Sequence, residues 1–176
     1  DIRLNGAGHV GGIQACRYWR RAVLGDTVAM DTLPQYVFSL TRDFISIQNS
    51  SGYQSLRSRG LELIADDSLR SDIIGLYEYD LEILSKLQEE YSELQLHDNY
   101  YPAFSEMIAP HLIFSAEGMP VGLDTPLQLA PADRARMLLH LLKIEQNRLF
   151  ILRYYRSLEQ RVIRVDAHIQ RVLAGQ

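Results

Sequence analysis

The 176-residue sequence has a single cysteine, Cys16. That excludes an internal disulfide framework and any multi-cysteine zinc site. Six prolines and 11 glycines are too few for a collagen-like or low-complexity chain. No apolar run approaches the ~20 residues needed to span a bilayer. No P-loop, nucleophile elbow or dinucleotide fingerprint is present. Gly6-Ala7-Gly8 lacks both a preceding strand and a third glycine. The five histidines, His9, His97, His111, His140 and His168, form no H-E-x-x-H or Glu-x-x-His pattern. Glu93 and His97, one turn apart, read as a surface carboxylate–imidazole contact. No metal or cofactor is therefore expected. A net charge of −4 argues against a general polyanion binder, so no nucleic-acid partner is expected either. The chain opens on Asp1 with no visible signal peptide, which reads as a fragment or a processed form.

The sequence is rich in apolar residues, at 47%, with 23% charged, enough for one packed domain. No segment keeps a period-two alternation. Leu112-Ile113-Phe114 and Val121-Gly122-Leu123 read as too short for a sheet. The fold class is all-α. Residues 1–12, with four glycines after Asn5, read as a glycine-rich arm, and residues 13–176 as a single helical domain.

Within it, Ile13, Cys16, Trp19 and Val23 recur at helical spacing before a stop at Gly25. Asp31 or Thr32 starts a second helix with Pro34 in its first turn. A short helix carrying Tyr53 and Leu56 ends at Gly60, and Leu61, Leu63 and Ile64 form a buried link. Asp66, Asp67 and Ser68 then cap a long helix over about 68–96, about 42 Å long. Its stripe runs through Leu69, Ile73, Leu76, Leu84, Tyr91 and Leu94. Tyr101-Pro102 and Ala109-Pro110 break the pattern beyond it. No glycine or proline lies between Pro131 and Gly175, which predicts a second long helix over 131–174, about 65 Å long. Its stripe includes Leu138, Leu142, Leu149, Leu152, Tyr155 and Leu158, interrupted at Glu145. Two long antiparallel helices with shorter packing helices make a helical bundle.

Charge supports that pairing. Residues 61–100 carry 11 acidic and 2 basic side chains, whereas residues 131–176 carry 9 basic and 4 acidic. Cys16 reads as a small buried apolar residue, although Arg17, Arg20 and Arg21 are basic neighbours. Tyr101, Arg153 and Tyr154 are the candidates for a small-ligand pocket. Val162, Val165 and Ile169 lie where the last helix outruns a compact domain, which predicts a homodimer interface there.

One stretch is more specific. It reads Asn49-Ser50-Ser51-Gly52-Tyr53-Gln54-Ser55-Leu56-Arg57-Ser58-Arg59-Gly60-Leu61-Glu62-Leu63-Ile64, followed by Asp67-Ser68-Leu69-Arg70. This resembles a family of bacterial single-pass membrane-anchored proteins, a domain of unknown function. Its S-x-Y-x-x-L-x-S-x-G-L-x-L-I element precedes D-x-L-R and a coiled-coil-like helix. The resemblance extends over roughly residues 30–176, whereas the glycine-rich start departs from the family pattern. It implies a transmembrane helix upstream and this domain on the periplasmic side, with no activity attached. The expectation is a non-enzymatic extracytoplasmic domain working through protein contacts with an unknown partner. The alternative is a periplasmic ligand-sensing bundle of receptor-input type.

Overall fold

A computed structural model describes residues 2–175. The chain is mostly helical. It runs α1 (Ile2–Leu24), α2 (Leu33–Ser39), α3 (Ser51–Arg59), α4 (Asp67–Gly75), α5 (Leu81–Glu89), α6 (Leu96–Ile108), strands β1 (Leu112–Phe114) and β2 (Pro120–Leu123), and α7 (Pro131–Ala174). Between Leu76 and Asp80 a wide π-helical turn joins α4 to α5.

The glycine-rich start is helix, not an arm: α1 begins at Ile2. Its glycines lose conformational freedom but permit close approach. A Cβ on Gly8 would lie 2.2 Å from the Phe44 ring, and one on Gly12 2.2 Å from Arg148 Nε. α1 then lies along α7 in the opposite chain direction. Arg3 meets Glu159 at 2.5 Å, Asn5 meets Tyr155 at 3.2 Å, and Arg20 meets Glu145 at 2.5 Å. Glu145, which interrupts the apolar stripe, is thus a buried carboxylate held by Arg20 and Arg17. The buried face of α7 is Met137, Leu141, Ile144, Ile151, Leu152, Tyr155, Leu158 and Val165. Leu142, expected on it, is exposed.

The expected 68–96 helix stops at Glu89. Glu89 and Glu90 are acids at the negative end of a helix dipole, and Tyr91 is extended. The freed carbonyls find side chains: Gln95 Nε2 donates to Gln88 O at 2.6 Å and Asn99 Nδ2 to Ser92 O at 2.6 Å. Pro102 falls inside α6 rather than ending it. Of the three cap candidates, Asp66 caps α4, accepting from Leu69 N at 2.8 Å. Leu63, expected in a buried link, is exposed. The two short segments read as too short for a sheet pair antiparallel as a hairpin. Gly118, at φ 78°, and the Ser115 N to Met119 O bond of 2.8 Å close its loop.

The core divides in two. One cluster gathers Trp19, Leu33, Leu40, Ile108, Met137, Leu141 and Ile144. The other gathers Tyr53, Leu69, Ile73, Leu84, Ile151, Tyr155 and Val165. On α7 a fully buried arginine, Arg148, lies between Ile144 of one and Ile151 of the other. Its Nη2 donates to the carbonyls of Ser39, Leu40 and Arg42 at 3.0, 2.8 and 2.9 Å. The first two belong to the C-terminal end of α2, where orphan carbonyls favour a cation. Residues 43–48 have no secondary structure; Ser46 is buried while Ile45 and Ile47 face solvent, and the segment is tied down by side chains instead. Asn5 Nδ2 donates to Ile45 O at 3.1 Å, and Gln88 both donates to Phe44 O at 3.0 Å and accepts from Ser46 N at 2.9 Å. Tyr155 Oη accepts from Asn5 and Gln88, joining the ties to α7.

Candidate functional site

Several open clefts indent the surface, and the wide turn at 76–80 separates two of them. One, of about 560 Å³, opens between the turn and α7. Its chemistry begins with an alignment. Asp72 and Asp80 are eight residues apart, about 80° out of phase in a plain α-helix. The π-helical turn, with its i to i+5 bonds, absorbs the extra residue. Both carboxylates then reach Arg161 of α7, Asp72 at 3.0 Å and Asp80 at 3.5 Å. Gly75 makes room, since a Cβ there would stand 3.2 Å from the guanidinium. His168, about two turns further along α7, places Nδ1 2.9 Å from Asp72 Oδ2. That hydrogen bond, together with Arg161, holds the Asp72 carboxyl below the ordinary carboxylate range.

Above this clamp the cleft is lined by Tyr79, Ile83, Tyr154, Ser157, Leu158 and Arg164. Tyr79 is 66% exposed, and Arg164 is exposed with no carboxylate within 4.0 Å among the described residues. Aromatic faces, an apolar floor and opposite charges therefore share one depression.

The second cleft, of about 410 Å³, lies across α7 from the first. Ile2, Ile47, Leu76, Leu81, Val162 and Ile163 form an apolar bed, and the Arg3–Glu159 pair marks its rim. Ile47 is 79% exposed and Ile163 44%.

The three sequence candidates for a pocket are not brought together. Tyr154 lines the first cleft, with its ring edge-on to Phe150. Arg153 is exposed on α7. Tyr101 belongs to a different cleft beside Phe38 and Arg42, its ring stacked on His97 at 4.6 Å. His97 therefore leans on Tyr101 rather than on Glu93. Of the three interface candidates, Val165 is buried within the chain and Ile169 is half-buried against the same cluster. The segment from Tyr53 to Leu84 covers that part of the stripe, so a second copy has no access to Val165. Val162 alone faces the apolar groove.

Two interior groups are shifted by burial. Burial, with Arg148 beside it, pushes His9 down to about 3, so its imidazole is neutral. Burial pushes the Cys16 thiol up to about 12, so it is not a nucleophile. Among the described residues, no three histidine, cysteine, aspartate or glutamate side chains are grouped to hold a metal. None of the described helices is long and apolar enough to cross a membrane.

Sequence reasoning missed Tyr79 and Asp80, because a π-helical turn has no side-chain signature, and Arg164, because it is one of many arginines on α7. The spacing of Asp72 and Asp80 across Gly75 was the one available hint. Compared with known proteins, the chain matches no family model, no curated protein and no solved structure.

Proposed function

We propose that this chain is a non-enzymatic helical domain that works through protein contacts. The observation carrying the reading is the apolar groove of Ile2, Ile47, Val162 and Ile163, in which Ile47, Val162 and Ile163 are exposed on a folded surface and Ile2 is half-buried. Its occupant in this reading is a second copy of the chain. The rim offers one base and one acid, Arg3 and Glu159, and a two-fold-related copy presents the same pair reversed. The homodimer interface thus moves from Val165 and Ile169 to the groove, retaining Val162. The motif at 49–70 supports placing the domain on the periplasmic side of a membrane-anchored protein.

The architecture in this reading is a bundle in which the helical run 67–89 lies antiparallel to α7. Three contacts of that run support it, Asp72 with His168, Asp80 with Arg161 and Gln88 with Tyr155, and Glu93 with Asn147 just beyond it continues the order. Each step forward on one segment is a step back on the other.

Light scattering across the micromolar range tests the contact. The expected mass is that of a dimer, falling to a monomer in Ile163→Asp. A monomeric mass at every concentration overturns the homodimer.

A second reading, a ligand-sensing bundle, is favoured by the cleft beside the wide turn. Exposed tyrosines and an uncommitted Arg164 converge there.

A further inference from the structure

The cleft between the π-helical turn and α7 has the size of a small-ligand site, about 560 Å³ against a usual ~300–1,000 Å³. Its charges are of both signs, and they differ in how far each is spent. Arg161 is held between Asp72 and Asp80, the closer contact being Asp72 at 3.0 Å. Asp80 meets Arg161 at only 3.5 Å, and its side chain is 34% exposed. Arg164, three residues along α7, has no carboxylate within 4.0 Å among the described residues. One acid and one base thus face the same space with donor and acceptor capacity left over.

We propose that this cleft binds a small zwitterion with an apolar or aromatic body, the chemical class of an apolar α-amino acid. The inference rests on the ligand-sensing reading above and gives it a ligand chemistry. Arg164 takes the carboxylate, for which a guanidinium fork is suited. Asp80 takes the ammonium. The body lies on Leu158 and Ile83 between the rings of Tyr79 and Tyr154. A ligand of one charge fits less well. With Asp72 and Arg161 paired at 3.0 Å, a bare anion leaves Asp80 with only its 3.5 Å contact to Arg161, and a bare cation leaves Arg164 unanswered. The 410 Å³ groove differs in this respect, because its Arg3 and Glu159 are already joined at 2.5 Å.

The test measures thermal shifts and backbone amide shifts with four probes: L-phenylalanine, L-leucine, phenethylamine and 3-phenylpropionate. The two amino acids should saturate the protein and move the amides of Gly75 and Ser157. Each one-charge analogue should bind about tenfold or more weakly, the loss of a charge-assisted hydrogen bond. Arg164→Gln, at an exposed position, keeps the fold and should bring L-phenylalanine and phenethylamine to equal affinity. Asp80→Asn should do the same for L-phenylalanine and 3-phenylpropionate. Either analogue binding as tightly as L-phenylalanine to the unsubstituted protein overturns the zwitterion and leaves ligand sensing standing. No shift from any of the four probes overturns both.

Discussion

Arg148 donates a hydrogen bond of 2.8 Å to the carbonyl of Leu40, 108 residues earlier in the chain. The bond ties the last helix to the end of α2 at a place where water has no access. Burial lowers Arg148 only to about 10, so the guanidinium stays charged at neutral pH. A buried cation is costly unless its surroundings are fixed and polar. Here the surroundings are the carbonyls of Ser39, Leu40 and Arg42.

Removing that cation strands its acceptors. Arg148→Met should destabilise the fold by about 3 kcal/mol or more in urea unfolding. Arg148→Lys should recover little, because a single ammonium on a flexible stem does not reproduce the fork. A midpoint within error of the parent protein for Arg148→Met would show that the three carbonyls do not need it.

Two adjacent glycines of α1 should respond oppositely to alanine. At Gly11 a Cβ meets nothing within 4 Å. Gly11→Ala should therefore stabilise by about 0.5–1 kcal/mol through helix propensity. At Gly12 the added Cβ falls 2.2 Å from Arg148 Nε and 2.3 Å from its Cζ. Arg148 is buried and bonded, so it cannot swing aside, and Gly12→Ala should destabilise. Thermal melting of the two variants decides the matter; shifts of the same sign refute the close packing of α1 on Arg148.

Stability should fall on acidification well before the carboxylates protonate. His9 binds its proton at about 3 when folded, against 6.5 ordinarily. The unfolded chain therefore takes up more protons below pH 6.5. Stability is complete above that value and is lost as pH drops toward 3. At pH 5 the loss from His9 alone is about 2 kcal/mol. His140, lowered by burial and then by Arg136 and Lys143, acts in the same direction. Asp72 extends the loss below the carboxylate range. Urea unfolding at pH 7 and pH 5 measures the slope, and His9→Gln should flatten it. An unaltered slope in that variant removes His9 from the account.

Gly60 adopts φ 103° between α3 and the turn that follows. Gly60→Val should cost about 1 kcal/mol or more in melting experiments. An unchanged midpoint would mean that the turn relaxes to a conformation open to any residue.

Helix α7 was legible because nothing between Pro131 and Gly175 breaks it, and its apolar period is long. The stop at Gly25 and the turn at Gly60 were legible because only glycine suits a positive φ. The start of α1 was not. Glycines that admit a neighbouring side chain look, in sequence, like glycines that bend a chain. Phe44 and Arg148, the side chains they admit, are far off in sequence. The hairpin was missed because β1 and β2 are too short to show a period. Arg148 itself was hidden among the arginines of a basic segment. Its partners are backbone carbonyls, which no residue pattern displays. As for the candidate site, Tyr154 was named, but Tyr79 and Asp80 reach it only through the wide turn.

The side-chain-tied segment at 43–48 has a consequence for synthesis. Its carbonyls and N–H groups are bonded by Asn5 and Gln88, and the carbonyls just before it by Arg148. During elongation the donors appear in that order, and the last belongs to the final quarter of the chain. Until then α1 lacks its principal neighbour and the end of α2 stays hydrated. A nascent chain halted near residue 130 therefore has α1 to α6 but neither core cluster complete. Closure depends on contacts of high sequence separation, which are slow to form and leave apolar faces open meanwhile. Neither half of the core can therefore close until the last helix is made.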